Sequence, residues 1–294
     1  MKIAIFGRFY HKNSESSIET LLSILKNKAV EIFFDKQFFN SIKAQEDSNL
    51  NSINFKTFTV LDNSYDLLIS VGGDGTMLRA ITFVRDFSIP IVGINTGRLG
   101  FLATIQKDNI ENAINDILKG NYKISERSLL NIKTEPENDN LLDFNIALNE
   151  IAVSRKNTTS MITVETSLNN EYLTSYWADG LIISTPTGST GYSLSCGGPV
   201  IMPDADSFTI TPIAPHNLNA RPLVIPDSTE IKLKVSGRED NYLVSLDSRI
   251  ATLDNNSTIT IKKASFKIKM IVLKDESFIS TLRKKLLWGE DKRN

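Results

Sequence analysis

The stretch DLLISVGGDGTMLRA, residues 66–80, decides the fold of the N-terminal half of the chain. The apolar run Asp66–Val71 is too short for a helix and predicts a buried strand, whereas Met77–Arg85 has the apolar spacing of a helix. Ile89–Ile94 predicts the next strand. Strand, helix and strand at these distances are typical of a parallel sheet with crossover helices. We therefore predict an α/β domain over residues 1–125 that carries this glycine-rich loop.

The loop between this strand and this helix holds one carboxylate, Asp74, among three glycines. Gly72, Gly73 and Gly75 allow a close approach of the backbone, and the N–H groups that open the helix favour an anion such as phosphate. A carboxylate beside phosphates requires either a divalent cation or a hydroxyl group whose proton it accepts, and both indicate phosphoryl transfer. A plain turn at Asp74-Gly75 remains the alternative, because the loop matches neither a Walker A sequence nor GxGxxG.

A second glycine-spaced loop, GINTGRLGFL at residues 93–102, follows the next predicted strand. Ligands of open α/β sheets gather at the carboxyl ends of the strands, where both loops are expected. Asn95 is a candidate binding residue in this loop. The alternative is an ordinary tight connection.

After about residue 125 the sequence changes to short, alternating, β-rich segments with few helical patterns. Asn169-Asn170 lies between two of these segments, where a tight hairpin turn is expected. We predict a β-rich domain over residues 126–273. Near the C-terminus, FISTLRKKLLW predicts a helix that places Phe278, Leu282 and Leu286 on one face.

In IALNEIAVSR, residues 146–155, the polar pair Asn149 and Glu150 interrupts an apolar run. Adjacent side chains of a regular strand face opposite ways, so at least one of the two would enter a core. Burial of an unpaired carboxylate or amide is costly. Either the strand ends or bulges at this point, or both groups meet a ligand, or the pair lies on an edge strand.

A hydroxyl-rich segment follows: eight of the twelve residues from Ser184 to Ser195 carry hydroxyl groups, and residues 178–220 contain no lysine or arginine. This composition favours recognition of sugar hydroxyls, amides or base edges by hydrogen bonds over a charge-clamped phosphate site. Tyr192 could stack on a base, and Asp179 could accept a hydrogen bond from a ribose. The alternative is an ordinary Ser/Thr/Gly loop.

Composition narrows the class of protein further. The 33 basic and 34 acidic residues nearly cancel, so no global field attracts nucleic acid or an anionic membrane surface. No apolar run is long enough for a membrane span, and the first residues lack the features of a signal peptide. With Cys196 as the only cysteine, we expect a cytoplasmic protein. His11 and His216 are the only histidines, so no histidine-rich or cysteine-rich metal site is predicted.

Taken in this order, the motifs resemble those of the NAD kinase family. They are GGDGT at 72–76, GINTGRLGFL at 93–102, NE at 149–150, ADGLIISTPTGSTGYSLSCGGP at 178–199 and PHNLNARPLVIP at 215–226. The resemblance implies a Rossmann-like, phosphofructokinase-like α/β domain joined to a β-rich domain, with the C-terminal helix, residues 274–294, completing the first. It implies transfer of the γ-phosphoryl group of ATP to the 2′-hydroxyl of the adenosine ribose of NAD, with a divalent cation, Mg²⁺. Homodimers or homotetramers are common in the family.

The resemblance also assigns roles to individual residues. Asp74 matches the proton acceptor, Gly75 and Arg79 match neighbouring ligand contacts, and Asn149 and Glu150 match residues that hold the dinucleotide. Asp179 matches the nucleotide-binding wall. The remaining candidates in that wall are Thr187, Thr190, Gly191, Tyr192, Ser193, Leu194 and Ser195.

The chain departs from the family pattern at three of the candidate binding residues. Trp177 stands where many bacterial members carry an arginine, Gly191 replaces a frequent alanine, and Arg249 stands where a glutamine is frequent. These departures concern the contacts with the dinucleotide rather than the reaction.

Three competing functions make different demands on the sequence. A lipid or sphingoid kinase shares the GGDGT loop, but its acceptor site should be apolar, which residues 184–195 are not. A non-catalytic dinucleotide sensor has no need of a carboxylate in the phosphate loop. A dehydrogenase would need the glycine spacing of a dinucleotide fingerprint, which the chain lacks.

Overall fold

A computed structural model describes residues 1–8, 12–26, 28–45, 50, 54–142, 144–157 and 160–287. The chain forms two compact units, one made of residues 1–126 with the C-terminal segment that begins at Ile268, and one made of Arg127–Lys267. His11 and the end of the predicted C-terminal helix, residues 288–294, lie outside the described residues. Within the described ranges, no helix is long and apolar enough to cross a membrane.

The first unit is built on one eight-stranded sheet with parallel pairing at its centre. Its strands are β1 Lys2–Gly7, β2 Glu31–Asp35, β3 Lys56–Phe58, β4 Leu67–Val71, β5 Ile91–Asn95, β6 Ile105–Gln106, β7 Tyr122–Arg127 and, from the far end of the chain, β20 Ile268–Leu273. The order across the sheet is β3-β2-β1-β4-β5-β20-β7, and β6 pairs with β5. Its helices are α1 Lys12–Lys26, α2 Lys36–Lys43, α3 Asp74–Val84, α4 Ile110–Leu118 and α7 Phe278–Leu286.

The central strands of this unit have the burial that is typical of a parallel sheet. All residues of β4 and β5 are buried, as expected for strands whose two faces are both covered. Ile69 of β4, Ile18 and Leu21 of α1, and Ile114 of α4 belong to one hydrophobic cluster. The predicted strand–helix–strand order around the GGDGT loop is confirmed.

The second unit consists of two six-stranded antiparallel sheets. Its strands are β8 Leu130–Glu135, β9 Ile146–Ala147, β10 Glu150–Arg155, β11 Ile162–Leu168, β12 Glu171–Ala178, β13 Gly180–Ser184, β14 Ser207–Ile213, β15 Leu223–Pro226, β16 Ile231–Gly237, β17 Asn241–Leu246, β18 Arg249–Asp254 and β19 Thr258–Lys263. The orders are β15-β14-β13-β10-β17-β18 and β12-β11-β16-β19-β8-β9. Two short helices, α5 Asp139–Leu142 and α6 Tyr192–Ser195, complete it.

Residues from both sheets form a single hydrophobic core in this unit, with Val164 and Val235 from one sheet and Ile183 and Val244 from the other. The predicted hairpin at Asn169-Asn170 is confirmed: β11 and β12 are antiparallel, and the two asparagines have φ values of 50° and 67°. Two consecutive positive φ values are typical of the type I′ turn, which asparagine tolerates well.

The division of the chain differs from the predicted domain limits at one place. We predicted that the β-rich domain continues to residue 273, whereas β20 pairs with the parallel sheet and the second unit ends at Lys267. The short, largely apolar sequence of β20 fits either kind of sheet, so it did not reveal the partner of this strand. Helix α7 also belongs to the first unit.

Candidate active site

Asp74 lies in the first turn of α3, directly after the buried strand β4. The helix begins three residues earlier than the predicted Met77, with Gly73 as its N-cap residue. A carboxylate in the first turn is stabilised by the helix dipole and by the N–H groups of that turn. The plain turn that the sequence left open at Asp74-Gly75 is therefore replaced by a helix N-terminus.

The carboxylate of Asp74 accepts hydrogen bonds from three consecutive backbone N–H groups of the second glycine loop. Oδ2 accepts from Phe101 at 2.7 Å, and Oδ1 accepts from Leu102 at 3.1 Å and Ala103 at 2.9 Å. Gly100 allows this approach, because a Cβ there would lie 1.9 Å from Oδ1. A carboxylate offers about four acceptor sites, so Oδ2 keeps one for a further donor.

Asn95, a predicted binding residue, shapes the loop that holds Asp74. Its buried Nδ2 donates to the carbonyl oxygens of Arg98 at 2.8 Å and Ala103 at 3.1 Å, and its Oδ1 accepts from the N–H of Gly97 at 2.7 Å. The amide group thus uses three hydrogen bonds within residues 95–103. Asn95 thereby helps to hold the backbone of Ala103, whose N–H donates to Asp74.

The glycines of the first loop have different roles. Gly72 has φ +152°, and a Cβ there would lie 2.3 Å from Oγ1 of Thr76, so a side chain is excluded at this position. Gly73 and Gly75 have open space where a side chain would be, and both are exposed. Arg79 is exposed one turn further along α3. The backbone beside Asp74 is therefore open to a ligand.

Helix α7 and the segment before it hold the second glycine loop from its other end. The Lys285 ammonium donates to the carbonyl oxygen of Leu99, and the rings of Phe278 and Phe101 lie 6.2 Å apart. Oγ1 of Thr104 donates to Glu276 at 2.8 Å. Sequence reasoning missed these contacts, because they join positions 172 to 186 residues apart.

In the second unit, the chain passes from one sheet to the other at the Asn-Glu pair. Strand β9 ends at Ala147 and β10 begins at Glu150, so a strand end, one of the options that the sequence left open, is present here. The carboxylate of Asp247 accepts from the N–H groups of Leu148 at 3.0 Å, Asn149 at 2.8 Å and Glu150 at 3.2 Å. Asp247 is a residue that the sequence analysis missed.

Two oxygens of the Asn-Glu pair are buried without a hydrogen-bond partner within the described part of the chain: Oδ1 of Asn149 and Oε2 of Glu150. Burial and the charge of Asp247 raise the pKa of Glu150 to about 8, against the opposing effect of the N–H of Tyr192. Burial also raises the pKa of Asp247. The proton of this carboxyl pair belongs on Glu150, because Asp247 has three N–H donors and the nearby positive charge of Arg249.

The hydroxyl-rich segment folds into a 3₁₀ helix, Thr187–Thr190, followed by α6. Several of its hydroxyl groups bond within the unit. Oγ1 of Thr185 donates to the carbonyl of Leu148 at 2.6 Å, Oγ of Ser189 donates to the carbonyl of Pro186 at 2.7 Å, and Ser193 and Thr211 share a hydrogen bond of 2.8 Å. The high hydroxyl content therefore reflects the folding of this segment as well as any ligand.

The predicted binding residues of this segment differ in their access to solvent. Thr187 and Ser193 are buried, Thr190, Gly191 and Leu194 are partly buried, and Tyr192 and Ser195 are exposed. Gly191 lies against the Asn-Glu pair, since a Cβ there would be 3.1 Å from Oε2 of Glu150. Tyr192 is 45% exposed, so it remains accessible to a ligand.

Asp179 is paired with a cation that the sequence analysis did not predict. Its Oδ2 lies 2.9 Å from the guanidinium of Arg155, which is 24 residues earlier in the chain. The segment from 178 to 220 lacks basic residues, but β10 supplies this positive charge to it.

Trp177 and Arg249, the other two departures from the family pattern, have clear structural neighbours. The exposed Trp177 ring lies 4.9 Å from the ring of His216, and its carbonyl accepts from the N–H of His216. The guanidinium of Arg249 donates to the carbonyl oxygens of Phe144 and Ile146 and lies over the Phe144 ring. Arg249 thereby anchors the segment that leads into the Asn-Glu pair.

Two sequence models match the chain, that of the ATP-NAD kinase N-terminal domain over residues 3–122 and that of the ATP-NAD kinase C-terminal domain over residues 148–273. The chain belongs to the ATP-NAD kinase family. As a member of this kinase family it is a phosphotransferase, which decides against the dehydrogenase and the non-catalytic sensor. The two matches also decide against the lipid kinase.

Several relatives are similar to the chain over its whole length. The NAD kinases of Christiangramia forsetii and Flavobacterium psychrophilum are 60% and 59% identical over 294 and 295 residues, covering all of both chains. Among solved structures, a yeast NADH kinase complexed with NADH covers 99% of this chain and 89% of its own, with a TM-score of 0.85 and 22% identity. An NAD kinase from Archaeoglobus fulgidus in complex with ATP covers 98% of this chain and 99% of its own, with a TM-score of 0.75 and 26% identity. These similarities confirm the predicted fold class.

The raised pKa of Glu150 predicts a pH-dependent effect of the substitution Glu150→Gln on stability. Between the usual pKa of 4.5 and the folded value of about 8, the folded chain binds the Glu150 proton and the unfolded chain does not. This contribution to the free energy of unfolding therefore falls as the pH rises through that window. Because glutamine does not titrate, we expect the Tm of the variant relative to the parent to increase from pH 5 to pH 8.5.

Glu165→Gln, the same change at an exposed position of β11, is the matched control and should show no such trend. Thermal denaturation of the three proteins across this pH range measures the effect. A constant difference between Glu150→Gln and the parent would show that Glu150 is ionised throughout the range.

Proposed function

We propose that this chain transfers the γ-phosphoryl group of ATP to the 2′-hydroxyl of the adenosine ribose of NAD and forms NADP. Membership of the ATP-NAD kinase family supports both the donor and the acceptor. The mechanism that we propose rests on one structural observation: three N–H groups orient the carboxylate of Asp74 beside an exposed glycine backbone.

Asp74 takes the proton of the acceptor hydroxyl. A ribose hydroxyl is a poor nucleophile, and its proton must leave as the new bond to phosphorus forms. Among the described residues, Oδ2 of Asp74 accepts the N–H of Phe101 alone, so it retains an acceptor site for this hydroxyl. The three N–H groups keep the carboxylate in one orientation, which aligns the nucleophilic oxygen without reorganisation during the reaction.

The phosphates of ATP meet the exposed backbone at Gly73 and Gly75 and the N–H groups at the start of α3. Arg79, exposed on the same helix, is a candidate phosphate contact. In the described part of the chain, no group of three or more His, Cys, Asp or Glu side chains could hold a metal ion. A divalent cation, Mg²⁺, would be carried by the triphosphate and would have Asp74 as a nearby carboxylate. When bound, it would offset the repulsion between Asp74 and the phosphates.

Residues of the second unit hold the dinucleotide. The orphaned oxygens of Asn149 and Glu150 need partners that a ligand can supply, and Glu150 with its proton can donate a hydrogen bond as well as accept one. The exposed ring of Tyr192 offers a stacking surface. Asp179, oriented by Arg155, is an acceptor for a ribose hydroxyl.

We also propose that the chain forms a homodimer or homotetramer in the cytoplasm. The family resemblance supports the oligomer. The single cysteine, Cys196, fits a reducing compartment. The near-neutral charge balance supports small molecules rather than nucleic acid as partners.

A coupled assay tests the proposed reaction. The purified protein is incubated with Mg²⁺, ATP and NAD, and an NADP-specific dehydrogenase reports the product. We expect NADP to form at a rate that requires all three components. Consumption of ATP without NADP would contradict the proposed acceptor.

The substitution Asp74→Asn should lower kcat by about 10²–10⁴-fold, the usual contribution of a positioned base, with a small change in NAD affinity. The amide cannot take the proton, and its NH₂ group would face one of the N–H donors from Phe101–Ala103, so some stability is also lost. Steady-state kinetics, NAD binding and Tm measure these effects.

Asp35→Asn is the matched control for this variant, because Asp35 is a buried carboxylate in the same unit that accepts a backbone N–H, that of Phe38 at 2.9 Å. It should lose stability while its kcat per folded molecule stays at the parent value. A near-normal kcat for Asp74→Asn would show that Asp74 is a structural residue.

The substitution Tyr192→Ala should reduce the stabilisation of the protein by NAD. A ligand that binds only the folded state stabilises it by RT ln(1 + [L]/Kd), so the Tm at a given NAD concentration falls when the loss of a stacking ring weakens the affinity. Tyr172→Ala, which removes an exposed tyrosine from β12 of the same unit, is the control. Thermal-shift curves at increasing NAD concentration measure the effect. Equal shifts for Tyr192→Ala and the parent would remove Tyr192 from the dinucleotide site.

A further inference from the structure

Asp247 occupies the tight turn between β17 and β18, with φ 51°. Its carboxylate accepts from the N–H groups of Leu148, Asn149 and Glu150, and its own N–H donates to the carbonyl of Glu150 at 3.0 Å. Leu148 and Asn149 lie in the gap between β9, which belongs to one sheet, and β10, which belongs to the other. One side chain, 97 to 99 residues away in sequence, thus accepts from the backbone N–H groups of this gap and of Glu150.

The carbonyl side of this gap is held by a second residue, Thr185. Its hydroxyl donates to the carbonyl of Leu148 at 2.6 Å, and its N–H donates to the carbonyl of Asn149 at 2.9 Å. The backbone groups of the gap are therefore bonded to the unit on both sides. Since these bonds fix the backbone, the side chains of Asn149 and Glu150 have a defined direction.

The side chains of the same two residues are left with unmatched groups. Oδ1 of Asn149 and Oε2 of Glu150 are buried and lack hydrogen-bond partners among the described residues. An unmatched buried oxygen is costly, and native structures keep such groups chiefly where a ligand or water will satisfy them. The backbone of this segment is fully hydrogen-bonded, whereas two of its side-chain oxygens are not. This combination is typical of a preorganised binding site.

We propose that Asp247 is a positioning residue for the dinucleotide, which fixes the backbone of Leu148–Glu150 so that Asn149 and Glu150 meet the ligand in one orientation. This inference rests on the proposed function, in which these two side chains hold NAD. Asp247 acts through them and not by contact with the reacting atoms. Its loss should therefore weaken NAD binding more than ATP binding.

Asp247→Asn is the first test variant, because asparagine tolerates a positive φ and preserves the turn. The amide offers one acceptor oxygen in place of two, and its NH₂ group would face an N–H donor. We expect the KM for NAD to rise by about tenfold or more, the equivalent of one lost charge-assisted hydrogen bond, while the KM for ATP stays within about twofold. Asp254→Asn, at the other end of the same hairpin, is the control and should match the parent in both constants.

A double-mutant cycle of Asp247→Asn with Glu150→Ala, which removes both the donor and the acceptor of this side chain, separates positioning from general stability. If Asp247 acts through Glu150, the effects of the two substitutions on the Kd for NAD are not additive, because the second variant has less left to lose. A residue that served stability alone would lower Tm and give additive changes in Kd. Asp247→Glu, which keeps the charge but moves it by one methylene, gives the same pattern in milder form if Asp247→Asn does not fold.

The outcomes distinguish this inference from the proposed function beneath it. An unchanged Kd for NAD in Glu150→Ala and in Asn149→Ala would overturn the assignment of the pair to the dinucleotide. A weakened Kd in those variants together with a parent-like KM for NAD in Asp247→Asn, or with additive effects in the cycle, would overturn the positioning role alone. A selective rise in the KM for NAD with non-additive coupling supports it.

Discussion

Three consecutive backbone N–H groups, those of Phe101, Leu102 and Ala103, converge on the carboxylate of Asp74, and the arrangement of the first unit around this point depends on that interaction. It joins the two glycine loops, which lie 27 to 29 residues apart in sequence. Hydrogen bonds to an ionised acceptor are stronger than those between neutral groups. Gly100 permits the contact, while Asn95 and helix α7 shape the loop that supplies the donors.

The second unit contains the same kind of interaction at Asp247, whose carboxylate accepts hydrogen bonds from three consecutive N–H groups, those of Leu148–Glu150. In both places a carboxylate from one segment fixes the backbone of another. The two arrangements orient different groups. At Asp74 the backbone N–H groups orient the carboxylate itself, whereas at Asp247 the carboxylate fixes a backbone segment and so orients the side chains of that segment. Groups that are oriented before the ligand arrives need no reorganisation during binding or reaction. The unmatched oxygens of Asn149 and Glu150 show the cost in stability that such a site carries.

The local patterns of the sequence predicted those features that depend on neighbouring residues. The buried strand before Asp74, the helix after it and the hairpin at Asn169-Asn170 follow from apolar spacing and turn chemistry. The break of the strand at the Asn-Glu pair was one of the options that two adjacent polar residues allow. Family motifs then placed these segments in one protein class, which the comparisons confirmed.

The features that sequence reasoning missed depend on contacts between distant segments. Nothing near Asp247 or Arg155 in the sequence indicates a partner, because the partners are created when β10 pairs with its neighbours. The role of β20 in the parallel sheet was hidden for the same reason. The count of hydroxyl groups did not separate two roles: those of Thr185, Ser189 and Ser193 bond within the unit, and a composition does not distinguish such groups from ones that face a ligand.

A crystal structure of the protein with NAD bound tests most directly whether Asp74 receives the proton. The decisive quantity is the distance between Oδ2 of Asp74 and the 2′-oxygen of the adenosine ribose. If Asp74 is the base, this distance lies within about 2.6–3.2 Å and the three N–H groups of Phe101–Ala103 remain bonded to the carboxylate. A 2′-oxygen that contacts another side chain, with Asp74 directed only at the loop, would contradict it.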